Sequence, residues 1–280
     1  MSETTPTCPV IYIWKNRRLY LGTQFVPLRE YETPADQLVI ALEGKIIFNP
    51  PGEAPIETRS ILMRAGTPVL MEHVDTTNAI IAICWLDPIG QDYFVNELLM
   101  QDKAPEVANA YYNHKYEQDI IDAFLRLRSR KPSAEDAESI LEKVLIPTEY
   151  EGQEVFNFDP RIIKVMQRIR ETVKENLPVK ALAEEVFLSE SRLLKLFKSQ
   201  IGIPIRRYRL RHRLFVGIMH LSGGASVTEA AIESGFASSA HFSKSYSALF
   251  GIQPTGALMK PPFAEVFIPE NFSLDSDDKE

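Results

Sequence analysis

Three basic side chains, Arg192, Lys195 and Lys198, recur at three-residue intervals in the stretch ESRLLKLFKSQIG. Because an α-helix completes a turn in about 3.6 residues, this spacing places the three charges on one helical face. A guanidinium fork and two ammonium groups suit a partner that presents phosphate or carbonyl oxygens. The pattern predicts an oxyanion-binding face, and the alternative is a solvated charged face without a partner.

The distribution of charge favours a polyanion as the partner of one part of the chain. The net charge of the 280 residues is −7, which is −10 over residues 1–158, +8 over residues 159–262 and −5 over residues 263–280. A basic segment between two acidic ones indicates that a polyanion binds one domain only.

The basic face belongs to an internal repeat. The spacing from Ser189 to Gly202 is identical to the spacing from Ser238 to Gly251, and lysine and aromatic residues recur at matching positions. Upstream of the serines the second copy is one residue longer, and a turn is the expected place for the extra residue. Each copy predicts a short helix, a turn, and a second helix that begins at a serine N-cap and ends at a glycine. This is the helix-turn-helix arrangement.

The chain is expected to be helical from Asp159 to about residue 260. Asp159 is the expected N-cap of the first helix, and Pro160 is its first residue. A longer helix from Pro204 to Gly223 connects the two repeated units and fixes their spacing. In the second unit, Ser226 and its partner three residues later predict a capping box.

The N-terminal part of the chain predicts strands. The runs LVIALEG, KIIF, RSILMRAG, PVLMEHV and AIIAICWL are short and apolar, and turn residues separate them. Strands at this spacing favour a sandwich or barrel. The later stretch YEQDIIDAFLRLRSRK predicts an amphipathic helix, which is expected to pack on the β domain of its own chain or, alternatively, on a second chain. Its apolar face comprises Ile120, Ile121, Phe124, Leu125 and Leu127.

Composition divides the chain into four parts. Residues 146–158 are acidic, contain Pro and Gly, and predict a linker between a domain of residues 1–145 and one of residues 159–262. Residues 263–280, which end in DSDDKE, predict an acidic disordered tail.

The helical part resembles the DNA-binding domain of the AraC/XylS family of bacterial transcription regulators. The resemblance covers residues 178–254 and rests on ALAEEVFLSESRLLKLFKSQIG, on Tyr208 and Arg213, and on EAAIESGF followed by HFSKSYSALFGIQP. By pattern, the preceding strands resemble the family's cupin-like domain. The resemblance implies an α+β protein. An N-terminal cupin-like β-barrel with a helical hairpin senses an effector or dimerises, and a C-terminal all-α domain reads two successive major-groove segments.

In this arrangement, only the outward face near the start of a recognition helix reaches base edges. Arg192 is expected to read guanine, and Leu193, Leu194 and Phe197 are expected to turn inward. The candidate DNA contacts of the first unit are Ser189, Ser191, Arg192, Lys195 and Lys198. Those of the second unit are Ser238, Ser239, His241 and Lys244, with packing of His241 as the alternative.

The second unit departs from the family pattern in its charge. Ser238, Ala240 and Lys244 replace an acidic residue, a serine and an arginine, and Ser247 and Ala248 replace basic residues. Because phosphate contacts supply much of the affinity for DNA, the first unit is expected to be the main anchor. Five arginines on the connecting helix are expected either to follow the DNA backbone or to pair with Glu184, Glu185 or Glu190. They are Arg206, Arg207, Arg209, Arg211 and Arg213.

No catalytic or metal-binding constellation is recognised. His73, beside Glu72, is the single histidine of the strand region, so no metal, cofactor or enzymatic activity is expected. Trp85 and Phe48 are expected to line an effector cavity or to fill a core.

The sequence predicts a cytoplasmic regulator that binds double-stranded DNA, has no membrane segment, and carries unpaired thiols at Cys8 and Cys84. RNA polymerase, a small-molecule effector and a second copy of the chain are its expected partners. The alternatives are an effector-independent regulator under the control of a protein partner and a cupin-type enzyme fused to a DNA-binding domain.

Overall fold

The chain consists of two compact units. The computed structural model describes residues 8–22, 30–33, 35–49, 54–70, 74–77, 79–104, 110–250, 253–254 and 264–272. One unit lies within Met1–Phe156 and Lys260–Phe272, and the other lies within Asn157–Met259. None of the described helices has the length and apolar content needed to cross a membrane.

The first unit is built on a large sheet. Its strands are β1 (Val10–Ile13), β2 (Arg18–Gly22), β3 (Glu30–Glu32), β4 (Gln37–Glu43), β5 (Ile46–Phe48), β6 (Ile56–Thr58), β7 (Ser60–Met63), β8 (Pro68–Leu70), β9 (Val74–Asp75), β10 (Ile80–Trp85), β11 (Met100–Lys103), β12 (Ala110–His114) and β13 (Glu265–Phe267). The main sheet has the order β11, β12, β7, β4, β10, β2, β1, β13, and of the strand pairs that the structure describes in it only β1–β13 is parallel. β3 pairs with β8, and β5 pairs with β6 and β9.

The α+β class is confirmed, but the main sheet is not a closed barrel. Among the described strands, its outer members β11 and β13 do not pair with each other. Three helices pack on this unit: α1 (Asp92–Leu99), α2 (Glu117–Arg130) and α3 (Ala134–Leu145). They contact β7, β4 and β1, respectively, so helices bury apolar surface of the sheet without closure into a barrel.

Helices α2 and α3 form the predicted helical hairpin. The apolar face of α2 packs against β4 of its own chain, which confirms the expected own-chain packing. Ser133 caps α3, since its hydroxyl accepts a hydrogen bond from the backbone N–H of Asp136 at 3.2 Å. The buried members of the predicted apolar face of α2 are Ile120, Ile121, Phe124 and Leu127.

A buried ion pair fixes α1 to the turn between β1 and β2. Arg17 donates from Nε to Oδ2 of Asp92 at 2.6 Å and from Nη2 to Oδ1 at 2.8 Å. Arg17 also donates to Glu142 on α3 at 3.0 Å. Burial opposes the charge of Arg17, but its hydrogen bonds, first to Asp92, outweigh burial and raise its pKa. The pair therefore connects the sheet, α1 and α3.

The segment predicted as a linker is held by the first unit at Phe156. The side chain of Gln91 donates to the carbonyl of Phe156 at 2.9 Å and accepts from its N–H at 2.8 Å. The ring of Phe94 stacks on the ring of Phe156 with centroids 3.9 Å apart. Phe156, near the end of the predicted linker, therefore belongs to the first unit.

The C-terminal segment forms a strand, so the prediction of a disordered tail from residue 263 is wrong for residues 264–272. β13 pairs with β1, the ring of Phe267 stacks on Tyr12 at 4.9 Å, and Glu265 pairs with Lys131 at 2.6 Å. The prediction of disorder rested on the acidic composition of the segment itself. The segment is ordered because it pairs with the edge strand β1, which lies far away in the sequence. Residues 273–280 lie outside the described residues.

His114, at the end of β12, is buried with one ring nitrogen unsatisfied. Its Nδ1 accepts a hydrogen bond from the N–H of Tyr116 at 3.1 Å, which assigns the proton to Nε2. Nε2 makes no hydrogen bond with any described residue. Burial lowers the pKa of His114 to about 4, so the ring is neutral at pH 7.

The stability of the first unit is expected to fall between pH 7 and pH 5. The pKa of His114 is about 4 when folded and about 6.5 when unfolded, so below pH 6.5 the unfolded chain binds a proton that the folded chain excludes. The free energy of unfolding should drop by about 2 kcal/mol from pH 8 to pH 5 in urea titrations. His114→Asn keeps an acceptor but does not titrate, so it should lose this component. An unchanged pH dependence in the variant would contradict the assignment.

The regular secondary structure of the second unit, among its described residues, consists of α-helices alone. Its helices are α4 (Pro160–Glu171), α5 (Val179–Glu185), α6 (Glu190–Ile201), α7 (Ile205–Ser222), α8 (Val227–Glu233) and α9 (Ser239–Phe250). α4 begins as predicted, since the Asp159 carboxylate accepts from the N–H of Arg161 at 2.9 Å. Leu214, Phe242 and Tyr246 are buried in one core that joins α7, α8 and α9.

Candidate nucleic-acid interface

Two helix-turn-helix units, α5–α6 and α8–α9, occupy the positions predicted from the repeat. The hydroxyl of Ser189 caps α6 by accepting from the N–H of Arg192 at 3.4 Å. The hydroxyl of Ser238 accepts from the N–H of His241 at 3.2 Å at the start of α9. The residue that follows α6, Gly202, is its C-cap, and its φ of 83° is the left-handed conformation expected of a glycine at this position. The second closing glycine, Gly251, lies outside the described residues.

The turns of the two units are equivalent up to the serine caps. The N–H of Leu188 donates to the carbonyl of Ala183 in the first turn, and the N–H of Phe236 donates to Ala231 in the second, both at 2.9 Å. Leu188 directly precedes its cap, whereas Ala237 stands between Phe236 and Ser238. This confirms that the extra residue of the second copy lies in the turn.

Phe187 occupies a backbone conformation that usually requires glycine. Its φ is 55°, and the equivalent residue of the second unit is Gly235, with φ 75°. The Phe187 side chain is 95% exposed, so little packing compensates for the left-handed backbone.

Phe187→Gly is expected to stabilise the second unit by about 1 kcal/mol, because glycine adopts positive φ without a steric penalty. Urea denaturation of the full chain measures the gain. Phe187→Ala is the matched control, since it removes the ring but retains the Cβ atom, and it should show no comparable gain. Equal stabilisation by both variants would contradict backbone strain as the cause.

The exposed face of α6 carries the predicted first-unit contacts. Ser189 stands exposed at its N-terminus, and Ser191, Arg192, Lys195 and Lys198 are exposed along the helix. Arg192, Lys195 and Lys198 form no side-chain hydrogen bond or ion pair with other described residues. The structure therefore brings the predicted residues together on one accessible basic face.

The buried apolar face of α6, opposite the basic face, includes fewer residues than predicted. Leu193, Phe197 and Ile201 are buried, but Leu194 is 41% exposed, so the expectation that Leu194 turns inward is wrong. Leu194 lies about 100° around the helix from Leu193 and falls outside the row that residues four apart form toward the core.

The second unit presents a smaller and less basic face. Ser238, His241 and Lys244 are exposed, and Ser239 is half-buried. The ring of His241 lies edge-on to the buried ring of Phe236 at 5.2 Å, which supports the packing alternative while leaving the ring exposed. Lys244 is the one basic side chain of α9, so this unit supplies less charge than α6 does.

Comparison with known proteins agrees with this geometry. The model of a family described as a helix-turn-helix domain matches residues 182–258. The HTH-type transcriptional regulator ArgR of Pseudomonas aeruginosa is 25% identical over 163 residues, which are 51% of this chain and 50% of ArgR. The XylDLEGF operon transcriptional activator 1 of Pseudomonas putida is 30% identical over 114 residues, which are 39% of this chain and 34% of the activator. The chain thus spans half or less of the length of these curated relatives.

The domain that these matches cover is of the AraC/XylS type. The fold of the chain as a whole is similar to that of ToxT from Vibrio cholerae strain SCE256. An apo ToxT structure has a TM-score of 0.54 at 15% identity over 91% of this chain and 97% of ToxT. A structure of ToxT with bound unsaturated fatty acid has a TM-score of 0.53 at 12% identity over 95% of this chain and 99% of ToxT. The likeness confirms the fold, a cupin-like N-terminal β domain followed by a helical domain.

The connecting helix α7 of this AraC/XylS domain positions the two units. The ring of Tyr208 packs against Phe197 of α6 at 5.6 Å, and its hydroxyl accepts from Nε of Arg170 on α4 at 2.9 Å. At the other end, Gly217 allows the ring of Phe242 from α9 to approach closely, since a Cβ atom there would lie 2.4 Å from that ring. The 18 residues of α7 extend about 27 Å along the helix axis, and α7 contacts both recognition helices.

The arginines of α7 do not form the ion pairs with Glu184, Glu185 or Glu190 that the sequence suggested. Glu185 pairs with Arg168 of α4 at 3.2 Å, and Arg213 donates to backbone carbonyls instead of a carboxylate. Arg206 and Arg207 are exposed. Sequence reasoning missed the half-buried pair that Arg209 and Arg213 form, although their four-residue spacing was a visible signal.

The first unit contains an apolar core at the residues that were expected either to line an effector cavity or to fill a core, and its packing agrees with a filled core. Phe48 is buried in this core, and Trp85 packs against it from a half-buried position. Among the described residues, no group of three or more potential ligands is arranged to hold a metal ion. His73 and Glu72 lie outside the described residues.

Proposed function

We propose that this protein regulates transcription by binding promoter DNA in a sequence-specific manner, with α6 as the main anchor and α9 as a weaker second reader. The observation that carries this proposal is the exposed face of Arg192, Lys195 and Lys198 on a serine-capped helix. Arg192 reads a guanine through two parallel hydrogen bonds, and the two lysines contact phosphates. Ser189, Ser191, Ser238, Ser239, His241 and Lys244 supply further phosphate or base contacts.

Genome-wide mapping of bound sites tests this function. A shared sequence motif with two half-sites, located upstream of genes, is the expected result. Arg192→Ala should relax the motif at one guanine position, because a bidentate arginine contact contributes about 1–3 kcal/mol of discrimination. Binding without any shared motif would contradict sequence-specific regulation.

We infer further that the first unit responds to a small apolar molecule and that the regulator acts in the cytoplasm as a homodimer that recruits RNA polymerase. The first part is supported by ToxT, which shares the fold and whose structure has been solved with a bound unsaturated fatty acid. Activation is favoured because the Pseudomonas putida relative is named an operon activator.

A thermal-shift screen of the full chain against a metabolite panel tests the effector. A metabolite that raises the melting temperature of the first unit in a saturable manner, and that also changes the affinity for DNA, supports a sensor. A constitutive dimer that no metabolite shifts would favour control by a protein partner instead. Sedimentation at several concentrations measures the dimer independently.

A further inference from the structure

Two arginines of α7 lie over a small cleft in the second unit. Arg209 and Arg213 are one helical turn apart, so their side chains lie on the same face of the helix. With His212 they line one wall of the cleft, and the end of α4 and the turn that follows it, including Thr172 and Glu175, form the other wall.

Arg213 is fixed in this cleft by neutral acceptors. Its Nε donates to the carbonyl of Val173 at 3.1 Å, and its Nη2 donates to the carbonyl of Glu175 at 3.2 Å. Carbonyl groups accept hydrogen bonds without contributing a formal negative charge, so they orient the guanidinium but do not neutralise it. The carboxylate of Glu175 belongs to an exposed residue and forms no ion pair with another described residue.

Arg209 has no hydrogen-bond or ion-pair partner among the described residues. Burial lowers the pKa of both arginines, and the charge of Arg213 lowers that of Arg209 further. Other cations of this unit are in different surroundings: Arg206 is exposed, and Arg168 pairs with Glu185. The cleft therefore holds two like charges in partial burial, with no carboxylate paired to either among the residues described.

We propose that the cleft of Arg209 and Arg213 binds a phosphate-class oxyanion. Guanidinium groups offer parallel N–H donors that match two phosphate oxygens, and an anion between them would relieve their mutual repulsion. The fixed Arg213 preorganises the site, while Arg209 closes on the anion from the preceding turn. The phosphate belongs either to the DNA backbone, in which case this inference rests on the proposed function, or to a free small anion.

The first arm of the test uses inorganic phosphate and the full chain without DNA. Phosphate at 50 mM should raise the melting temperature of the second unit by about 3 °C relative to chloride at the same ionic strength. Arg209→Gln should abolish this shift, and it should also raise the melting temperature in chloride because one of the two like charges is gone. Arg206→Gln, with the same change of charge on an exposed site of the same helix, should retain the phosphate shift.

The second arm measures the salt dependence of DNA affinity. If a backbone phosphate occupies the cleft, Arg209→Gln should reduce the slope of log Kd against log salt by about 1. Lys143→Gln, an equal change of charge on α3 of the first unit, controls for net charge and should leave the slope unchanged.

A phosphate shift without a change of slope identifies a free anion as the ligand, and a change of slope without a phosphate shift identifies the DNA backbone. If Arg209→Gln behaves like Arg206→Gln in the phosphate arm and like Lys143→Gln in the DNA arm, the inference is overturned. If the wild-type chain binds no DNA, the proposed function fails, and the phosphate arm alone decides whether the cleft is an anion site.

Discussion

Replacement of Gly235 by alanine should destabilise the second unit by about 3 kcal/mol. Gly235 has a φ of 75°, and a Cβ atom there would lie 2.4 Å from the carbonyl oxygen of Val173 and 3.0 Å from the Cα of Lys174. Left-handed backbone costs a non-glycine residue about 1–2 kcal/mol, and overpacking against a rigid neighbour adds a similar amount. Both atoms belong to backbone, so a change of side-chain rotamer cannot relieve the contact.

The displaced backbone would disturb more than one turn. The carbonyl of Val173 also accepts the hydrogen bond of Arg213, and Lys174 pairs with Glu233 at the end of α8. Gly235→Ala should therefore weaken DNA binding as well as stability.

Chemical denaturation of the full chain, followed by a probe in the second unit, measures the effect of Gly235→Ala. Gly223→Ala is the matched control, because its φ is −72° and the nearest atom to its Cβ would be 3.5 Å away. Alanine at position 223 should be neutral or slightly stabilising. Similar free energies of unfolding for the two variants would show that the turn tolerates a side chain and would refute the close approach.

The local signals of the sequence were sufficient for the helices of the second unit. Ser189 and Gly202 are the N-cap and C-cap of α6, as predicted. Asp159 is the N-cap of α4, and Pro160 is its first residue. These boundaries depend on hydrogen bonds between residues two to four positions apart, which the sequence displays directly. The same locality explains why the basic face of α6 was predictable from spacing alone.

Features that depend on distant residues were not predictable. β13 forms because Glu265–Phe267 pairs with β1, more than 250 residues earlier in the chain. A strand of three residues is too short to show the alternation of apolar and polar residues by which strands are predicted. The contact between Gly235 and the turn after α4 likewise joins residues about 60 positions apart. The cleft of Arg209 and Arg213 required the position of α4, which periodicity does not provide.

Removal of the three positive charges of α6 should reduce DNA affinity by about 100- to 1,000-fold at physiological salt, which corresponds to about 3–4 kcal/mol. In the proposed binding mode, the triple variant Arg192→Ala, Lys195→Ala and Lys198→Ala would lose one base contact and two phosphate contacts, and each phosphate contact also contributes to the salt dependence. The slope of log Kd against log salt should accordingly fall by about 2. Fluorescence anisotropy over a series of salt concentrations measures both quantities.

A triple variant of the predicted contacts on α9, Ser239→Ala, His241→Ala and Lys244→Ala, should reduce DNA affinity only about 10-fold, because it removes one positive charge. All six residues are exposed or half-buried, so both variants should retain the melting temperature of the parent, and a loss of affinity then reports on DNA contact. An α9 variant that binds more weakly than the α6 variant would show that the second unit is the anchor. In that case, shape or base contacts would outweigh charge, and the assignment of α6 as the main reader would be wrong.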